Sequence, residues 1–370
     1  MALPQGSDEI ASHVLGELKE TEYACSSLQP LTGGTANFIF KGSLAKPLLD
    51  GTREVLIKHG EDFVALSPDF KLPTLRCRFE EDCLRALQTL PPAVSSVCSV
   101  RTPRLFRFGK DTNTQIQEYL PDSLNLKLYA LKHYASPTPE SLKAQCAEIG
   151  HGLGKWLRRF HDWARQPSQV VLRSAIKLNK EMQSLKHMIN YSRLVSAAES
   201  RPAVLADAKE TFVQVAEMAK SEVDDEQNLQ VIHGDFWTGN VLLPDRPLVV
   251  GQQIPIFIID WEMCQLGVPA LDLGQVIAEL YELKLFKGIQ AGLWLIEGFA
   301  AGYGQIDDAT AFRTAIHVGT HLVCFSSVPG WGTHEQVEQV VMAGKEIIVR
   351  AWQKDRAWFE GGPLSSLFSA

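Results

Sequence analysis

Asp235, Asn240 and Asp260 are the residues of this 370-residue chain whose types and spacing best suit catalysis. Asp235 and Asn240 lie in the run Val231-Ile232-His233-Gly234-Asp235-Phe236-Trp237-Thr238-Gly239-Asn240, and Asp260 lies in Ile256-Phe257-Ile258-Ile259-Asp260-Trp261-Glu262. Each aspartate follows an apolar, β-branched segment that reads as a buried strand. A buried carboxylate is costly unless a metal, a cation or hydrogen bonds hold it. Phosphoryl transfer gives such carboxylates a purpose, since one Asp orients or deprotonates an attacking hydroxyl while oxygen ligands hold Mg²⁺ on nucleotide phosphates. Asp235 suits the first role. Asn240, five residues on, can swing back toward a metal, and Asp260 arrives from a separate strand end as a second ligand.

These residues need elements to place them. In Leu31-Thr32-Gly33-Gly34-Thr35-Ala36-Asn37-Phe38 a glycine pair separates two strand-like runs. Gly33 and Gly34 let the backbone approach a ligand closely, and Thr35 and Asn37 are small polar side chains able to touch phosphate; the same pair also reads as a plain hairpin turn. No Gly-x-x-x-x-Gly-Lys-Ser/Thr run is present, which excludes a P-loop. A strand over Glu54–His59 carries Lys58, and residues 60–73 read as a loop. Residues 76–90 repeat Phe79, Cys83, Leu84, Leu87 and Leu90 on one helical face, with Glu80 at its edge and Glu81 turned toward solvent. Strand-like residues 104–108 and 114–120 lead to Pro121-Asp122-Ser123, and the composition then becomes helical.

Within that second part, residues 139–165 form a long apolar-faced helix ending near His161, and Gly150, Gly152 and Gly154 inside it read as close packing rather than a dinucleotide loop. Residues 179–224 predict two charged helices, with Pro202 between them. Phe257 to Asp260 reads as the second strand of a hairpin turning at Pro244-Asp245-Arg246-Pro247. Asp272 opens a helix, where a carboxylate satisfies backbone N–H groups. A first helix over residues 8–20 takes Ser7 or Asp8 as its N-cap. His317 and His321, spaced i, i+4, lack a Glu between them or a nearby third ligand in sequence, and read as core histidines. Trp331, in residues 329–334, reads equally as a cleft-lining or a core-capping side chain.

His-Gly-Asp, four residues and Asn at 233–240, then Ile-Asp-Trp-Glu at 259–262, resembles the signature of the aminoglycoside phosphotransferase and choline kinase-like small-molecule kinases. The resemblance implies an α+β, protein-kinase-like fold of two lobes. A small β-rich nucleotide-binding lobe would span residues 1–120, a hinge about 118–122, and a larger helical catalytic lobe 121–370. It implies ATP and Mg²⁺ as cofactors, with ATP between the lobes under residues 33–37. By the same resemblance Lys58 reaches the α- and β-phosphates and pairs with Glu80 in preference to Glu81, and the backbone of Glu118, Tyr119 and Leu120 meets adenine. Asp235 is then the catalytic base, and Asn240 and Asp260 hold the metal. The implied substrate is a hydroxyl on a small molecule; relatives act on aminoglycosides, choline, methylthioribose, amino alcohols and sugars. Phe236-Trp237-Thr238-Gly239 is also similar to the same loop of ketosamine kinases. The variable helices that choose among these substrates carry no legible substrate signal.

Composition is that of an ordinary globular chain, 45% hydrophobic and 21% charged, with a formal net charge of −7. No strongly basic stripe points to nucleic acid, and no apolar run of membrane-spanning length occurs. The start of the sequence lacks the basic and apolar blocks of a signal peptide, which predicts a cytoplasmic protein. Seven cysteines without a Cys-x-x-Cys pair fit reduced thiols. No feature sets an oligomeric state. A non-catalytic nucleotide- or metabolite-binding module is the alternative from another class. A metal-dependent hydrolase using His233, Asp235 and Asp260 would leave the glycine loop and Lys58 without a role.

Overall fold

A computed structural model describes residues 3–249, 251–327 and 331–368. The chain divides into two compact units, Met1–Thr89 with Thr102–Asp122, and Leu90–Arg101 with Ser123–Ala370. The architecture is α+β. The first unit is built on a sheet and the second is mainly helical.

In the first unit five antiparallel strands stand in the order Cys25–Pro30, Phe38–Leu44, Glu54–His59, Thr114–Glu118, Leu105–Gly109. Strand alternation sorts their side chains. Phe38, Phe40, Val55, Ile57 and Ile116 form one core with Val14 and Leu18 of the Ser7–Leu18 helix. Lys58, Gln115 and Gln117 point the other way and are buried as well. The Leu75–Leu87 helix covers that second face, since its Cys77 carbonyl and Glu80 accept from Gln115. The first helix is capped by Gly6, at φ 82°, rather than by Ser7 or Asp8; Ser7 already lies inside the helix, its hydroxyl donates back to the Pro4 carbonyl at 2.6 Å, and no side-chain cap bond forms at this end. Residues 60–73 are not all loop. Phe63–Val64 and Ser67–Lys71 pair as a short hairpin whose solvent-exposed second strand has no apolar alternation to announce it.

Residues 90–101 belong to the second unit, because Cys98–Arg101 pairs in parallel with Ile254–Ile258. That sheet runs Ser123–Asn125, Val241–Pro244, Ile254–Ile258, Cys98–Arg101, Ala93–Val94. A separate pair, Gln230–Ile232 with Gln265–Gly267, supports the stretch before His233. The Lys143–Ala164 and Ala291–Tyr303 helices pack backbone to backbone. A Cβ on Gly150 or Gly154 would sit 2.2 Å from the Leu295 carbonyl oxygen or 2.0 Å from that of Phe299. Beneath the Asp235 loop an aromatic cluster is fully buried: Phe236 stacks on Trp156 at 6.4 Å between centroids, and Trp261 lies 5.0 Å from Phe160 and 4.3 Å from the His233 ring. Truncating such a ring costs about 3–5 kcal/mol, so the cluster is a rigid floor for the loop. Trp331 is also buried, stacked on Phe286 at 5.5 Å; Pro329 and Gly330 before it lie outside the described residues.

Candidate active site

The Gln230–Ile232 strand ends at His233, and the chain turns at Gly234 with φ 79°. A Cβ there would lie 2.2 Å from the Met263 carbonyl oxygen, so only glycine fits on both counts. The turn is pinned from below by Asp272, which is fully buried. Its Oδ2 accepts from the His233 N–H at 2.9 Å and its Oδ1 from the Gly234 N–H at 2.9 Å. His161 meets Oδ2 through Nε2 at 3.1 Å and meets the Tyr303 hydroxyl through Nδ1 at 2.8 Å. Burial alone would raise the Asp272 carboxyl, but the hydrogen bond and charge of His161, together with His233, outweigh it and hold the group below its ordinary value. Its backbone partners belong to the loop, not to its own helix start.

His233 is a brace. Its Nδ1 accepts from the Asp235 N–H at 3.2 Å, which leaves the ring proton on Nε2, 3.0 Å from the Ile259 carbonyl oxygen. Burial lowers its pKa against the opposing pull of Asp272 and Asp235, in keeping with a neutral ring. One imidazole thus ties the Asp235 loop to the residue before Asp260.

Asp235 itself is half-buried and held by three donors: Gln275 Nε2 at 2.7 Å on Oδ1, and Trp237 Nε1 and Asn240 Nδ2, each at 3.1 Å, on Oδ2. A carboxylate offers about four lone-pair sites, so an open direction remains on Oδ1. Gln275 is oriented in turn by Lys186, whose ammonium donates to its Oε1. A lysine only donates, so this contact turns the Gln275 Nε2 toward Asp235. Lys186 is buried, and desolvation lowers its pKa against the charges of Asp235 and Asp272. Neither residue stood out in sequence. Gln275, three residues after Asp272 on the same helix face, carried a weak signal; Lys186 carried none, since lysines usually face solvent.

Asn240 donates both to the Asp235 carbonyl at 2.9 Å and to its carboxylate, so its amide oxygen is the atom left to face a cation. Val241 pairs with Ile258, and the Ile259 N–H donates to the Asn240 carbonyl at 3.0 Å, which sets Asp260 beside Asn240. The strand stops at Ile258, two residues short of the sequence expectation, because Asp260 adopts φ 65°, a left-handed conformation that no strand continues. Such a conformation costs a non-glycine residue roughly 1–3 kcal/mol and clusters at functional sites. An amide oxygen and a carboxylate are hard oxygen donors of the kind Mg²⁺ takes.

In the first unit Lys58 meets both carboxylate oxygens of Glu80, at 2.9 and 2.8 Å, and Gln115 donates to Glu80 at 2.9 Å. Glu81 pairs instead with Arg85, one turn on. Gly33, with φ 118°, and Thr35 are exposed, and Gly34 packs against Ile39. Asn37 is buried, its Oδ1 accepting from Arg76 at 3.0 Å. Arg76 thus holds it at the base of the loop. The Glu118 N–H donates to the Arg104 carbonyl at 2.8 Å, Tyr119 lies under the Lys41 ammonium at 5.3 Å, and Glu118, Tyr119 and Leu120 are all half-buried.

Residues 48–312 match the model of the phosphotransferase enzyme family. The phosphotransferase FrzJ of Cladobotryum sp. is 30% identical over 366 residues, covering 95% of this chain and 94% of its own. The 4-hydroxytryptamine kinase of Psilocybe cyanescens is 22% identical, covering 90% of each chain. Among solved structures, the GDP complex of aminoglycoside 2′-phosphotransferase-IIIa superposes with a TM-score of 0.50 at 14% identity, covering 95% of this chain and all of the other, which supports the kinase-like fold. The chain belongs to the phosphotransferase enzyme family and is a small-molecule kinase.

Proposed function

We propose that the protein transfers the γ-phosphoryl group of ATP, with Mg²⁺, to a hydroxyl of a small metabolite. The observation that carries this reading is the Asp235 carboxylate: three donors, Asn240 among them, fix it and one direction on Oδ1 stays open, while the Asn240 carbonyl accepts from Ile259, the residue before Asp260. Asp235 accepts the substrate hydroxyl's hydrogen bond through that direction and takes its proton as the new P–O bond forms. Asn240 and Asp260 hold Mg²⁺, which when bound neutralises phosphate charge. Lys58, kept extended by Glu80, receives the α- and β-phosphates. Gly33, Gly34 and Thr35 cover the nucleotide, and the backbone of residues 118–120 takes the adenine edge. Position and electrostatics supply the rate.

A hydroxylated amine is the first substrate to test, because a relative covering 90% of the chain is a 4-hydroxytryptamine kinase. ADP release is measured with ATP, with and without Mg²⁺, over hydroxylated amines, aminoglycosides, choline and sugars. The expected result is Mg²⁺-dependent ADP release with at least one acceptor, reduced at least ~10²-fold by Asp235→Ala, the scale of a lost base. Wild-type turnover in that variant would contradict the assignment.

A further inference from the structure

A second acidic centre lies one helical turn beyond Gln275. Glu279 and Glu282, on the Ala270–Lys287 helix, and His321, on the Asp308–Phe325 helix, each bring a ligand atom to within 4.8 Å of the other two. All three side chains are buried, Glu282 completely. Glu279 is well satisfied, with Oε1 3.2 Å from His321 Nε2 and Oε2 accepting from the Thr238 hydroxyl at 3.0 Å. Neither oxygen of Glu282 has a hydrogen-bond partner among the described residues. A fully buried carboxyl with both oxygens unpartnered, close to a second carboxylate, keeps its proton until a cation takes the proton's place.

Among the described residues the cation beside this pair is Lys127, and no hydrogen bond joins it to Glu282. Its ammonium stands 3.9 Å from Glu279 Oε2 and lies over the Trp331 ring at 3.6 Å. Burial and the Glu279 charge push the Glu282 carboxyl well above its ordinary range. Burial would raise Glu279 too, but the hydrogen bond and charge of His321, then Lys127 and Thr238, keep it below.

We propose that Glu279, Glu282 and His321 form a binding site for a divalent first-row transition metal, Zn²⁺ being the probe ion. An imidazole nitrogen beside two carboxylates suits such an ion better than Mg²⁺ or Ca²⁺, which prefer oxygen alone. Ligand atoms that already lie this close need only small side-chain rotations to reach bonding distances of about 2.0–2.2 Å. The enclosure of all three residues favours a bare ion over an organic ammonium. In sequence the histidine pair lacked a third ligand; the fold supplies two, to His321 alone, while His317 turns its Nδ1 to the Tyr191 hydroxyl at 2.9 Å. The site is coupled to the catalytic loop. Thr238, which donates to Glu279, sits between Asp235 and Asn240, so the ion braces the loop from beneath and is distinct from the Mg²⁺ that Asn240 and Asp260 would hold.

The test uses the whole chain without nucleotide, stripped with chelator and dialysed against Zn²⁺. Elemental analysis is expected to find one Zn²⁺ per chain, the melting temperature to rise by about 4 °C, and amide exchange at residues 237–240 to slow. Glu282→Gln, which keeps shape and removes charge, and His321→Gln are expected to lose the ion and all three responses. Asp235→Asn is expected to keep the ion, so failure of the kinase reading leaves this result standing. Absence of Zn²⁺ from the wild type, or its retention by Glu282→Gln, would overturn the site. So would stabilisation by tryptamine but not by Zn²⁺, which would assign the cluster to an organic amine.

Discussion

Replacing Asp272 with Asn tests whether this buried carboxylate holds the catalytic loop in place. The carboxylate serves three donors, the N–H groups of His233 and Gly234 and the His161 ring. An amide of the same shape has one acceptor oxygen, and its NH₂ must face a donor in either orientation. The cheaper orientation turns NH₂ toward Gly234 alone, leaving one buried N–H unpartnered at about 1–3 kcal/mol. The other two bonds lose charge assistance, about 1 kcal/mol each. Asp272→Asn is therefore expected to destabilise the second unit by about 3–5 kcal/mol. It also frees the turn that aims Asp235, and a misplacement of about 1 Å costs on the order of 10²-fold in turnover. Urea unfolding followed by tryptophan fluorescence measures the first quantity, and steady-state ADP release measures kcat. A loss below about 1 kcal/mol with kcat unchanged would refute the reasoning.

Gly234→Ala places a Cβ against the Met263 carbonyl at a left-handed φ; a loss of about 2–4 kcal/mol in urea unfolding is expected, and a neutral substitution would contradict the geometry. Gln275→Leu removes the bond to Asp235 Oδ1 and the partner of Lys186; kcat is expected to fall about 10-fold or more with KM nearly unchanged, whereas a pure KM effect would make Gln275 a substrate contact. Burial lowers the pKa of His317, with Lys186 and Arg313 adding to the effect. The unfolded chain therefore takes up this proton first, and the neutral ring's contribution is complete above about pH 6.5 and declines as the pH falls below it. The stability of His317→Gln relative to wild type is expected to rise toward pH 5 by up to about 1.4 kcal/mol per pH unit; a pH-independent difference would contradict this sign.

Much of the frame was legible because periodicity and spacing carry it. Helix phase over 76–90 puts Glu80 at the edge of the apolar face, and Glu80 is the residue that takes Lys58; Glu81, which the same phase turns toward solvent, is instead buried, its carboxylate held by Arg85 one turn on. Alternating glycines in a helix pointed to a tight seam, and the Gly150 and Gly154 contacts form it. What escaped depends on long-range partners. Residues 90–101 join the second unit through pairing with a strand some 150 residues later, which no local pattern encodes. Asp272 read as a helix-start carboxylate because its true donors lie nearly forty residues upstream. Lys186 was invisible for the same reason, its environment being built by the helix that carries Gln275. The strand before Asp260 reads two residues too long in sequence because β-branched Ile259 follows Ile258, while the backbone turns left-handed only at the aspartate.

Whether Asp235 drives phosphoryl transfer to a substrate hydroxyl is tested most directly by product analysis. The protein is incubated with ATP, Mg²⁺ and 4-hydroxytryptamine, or another acceptor found by ADP release, and the acceptor is followed by mass spectrometry and phosphorus NMR. The expected product of the wild type is an acceptor carrying one phosphate ester on its hydroxyl oxygen, formed at least ~10²-fold more slowly by a folded Asp235→Asn variant. Product formation at the wild-type rate by that variant, or phosphate appearing in solution with no ester on any acceptor, would contradict this role for Asp235.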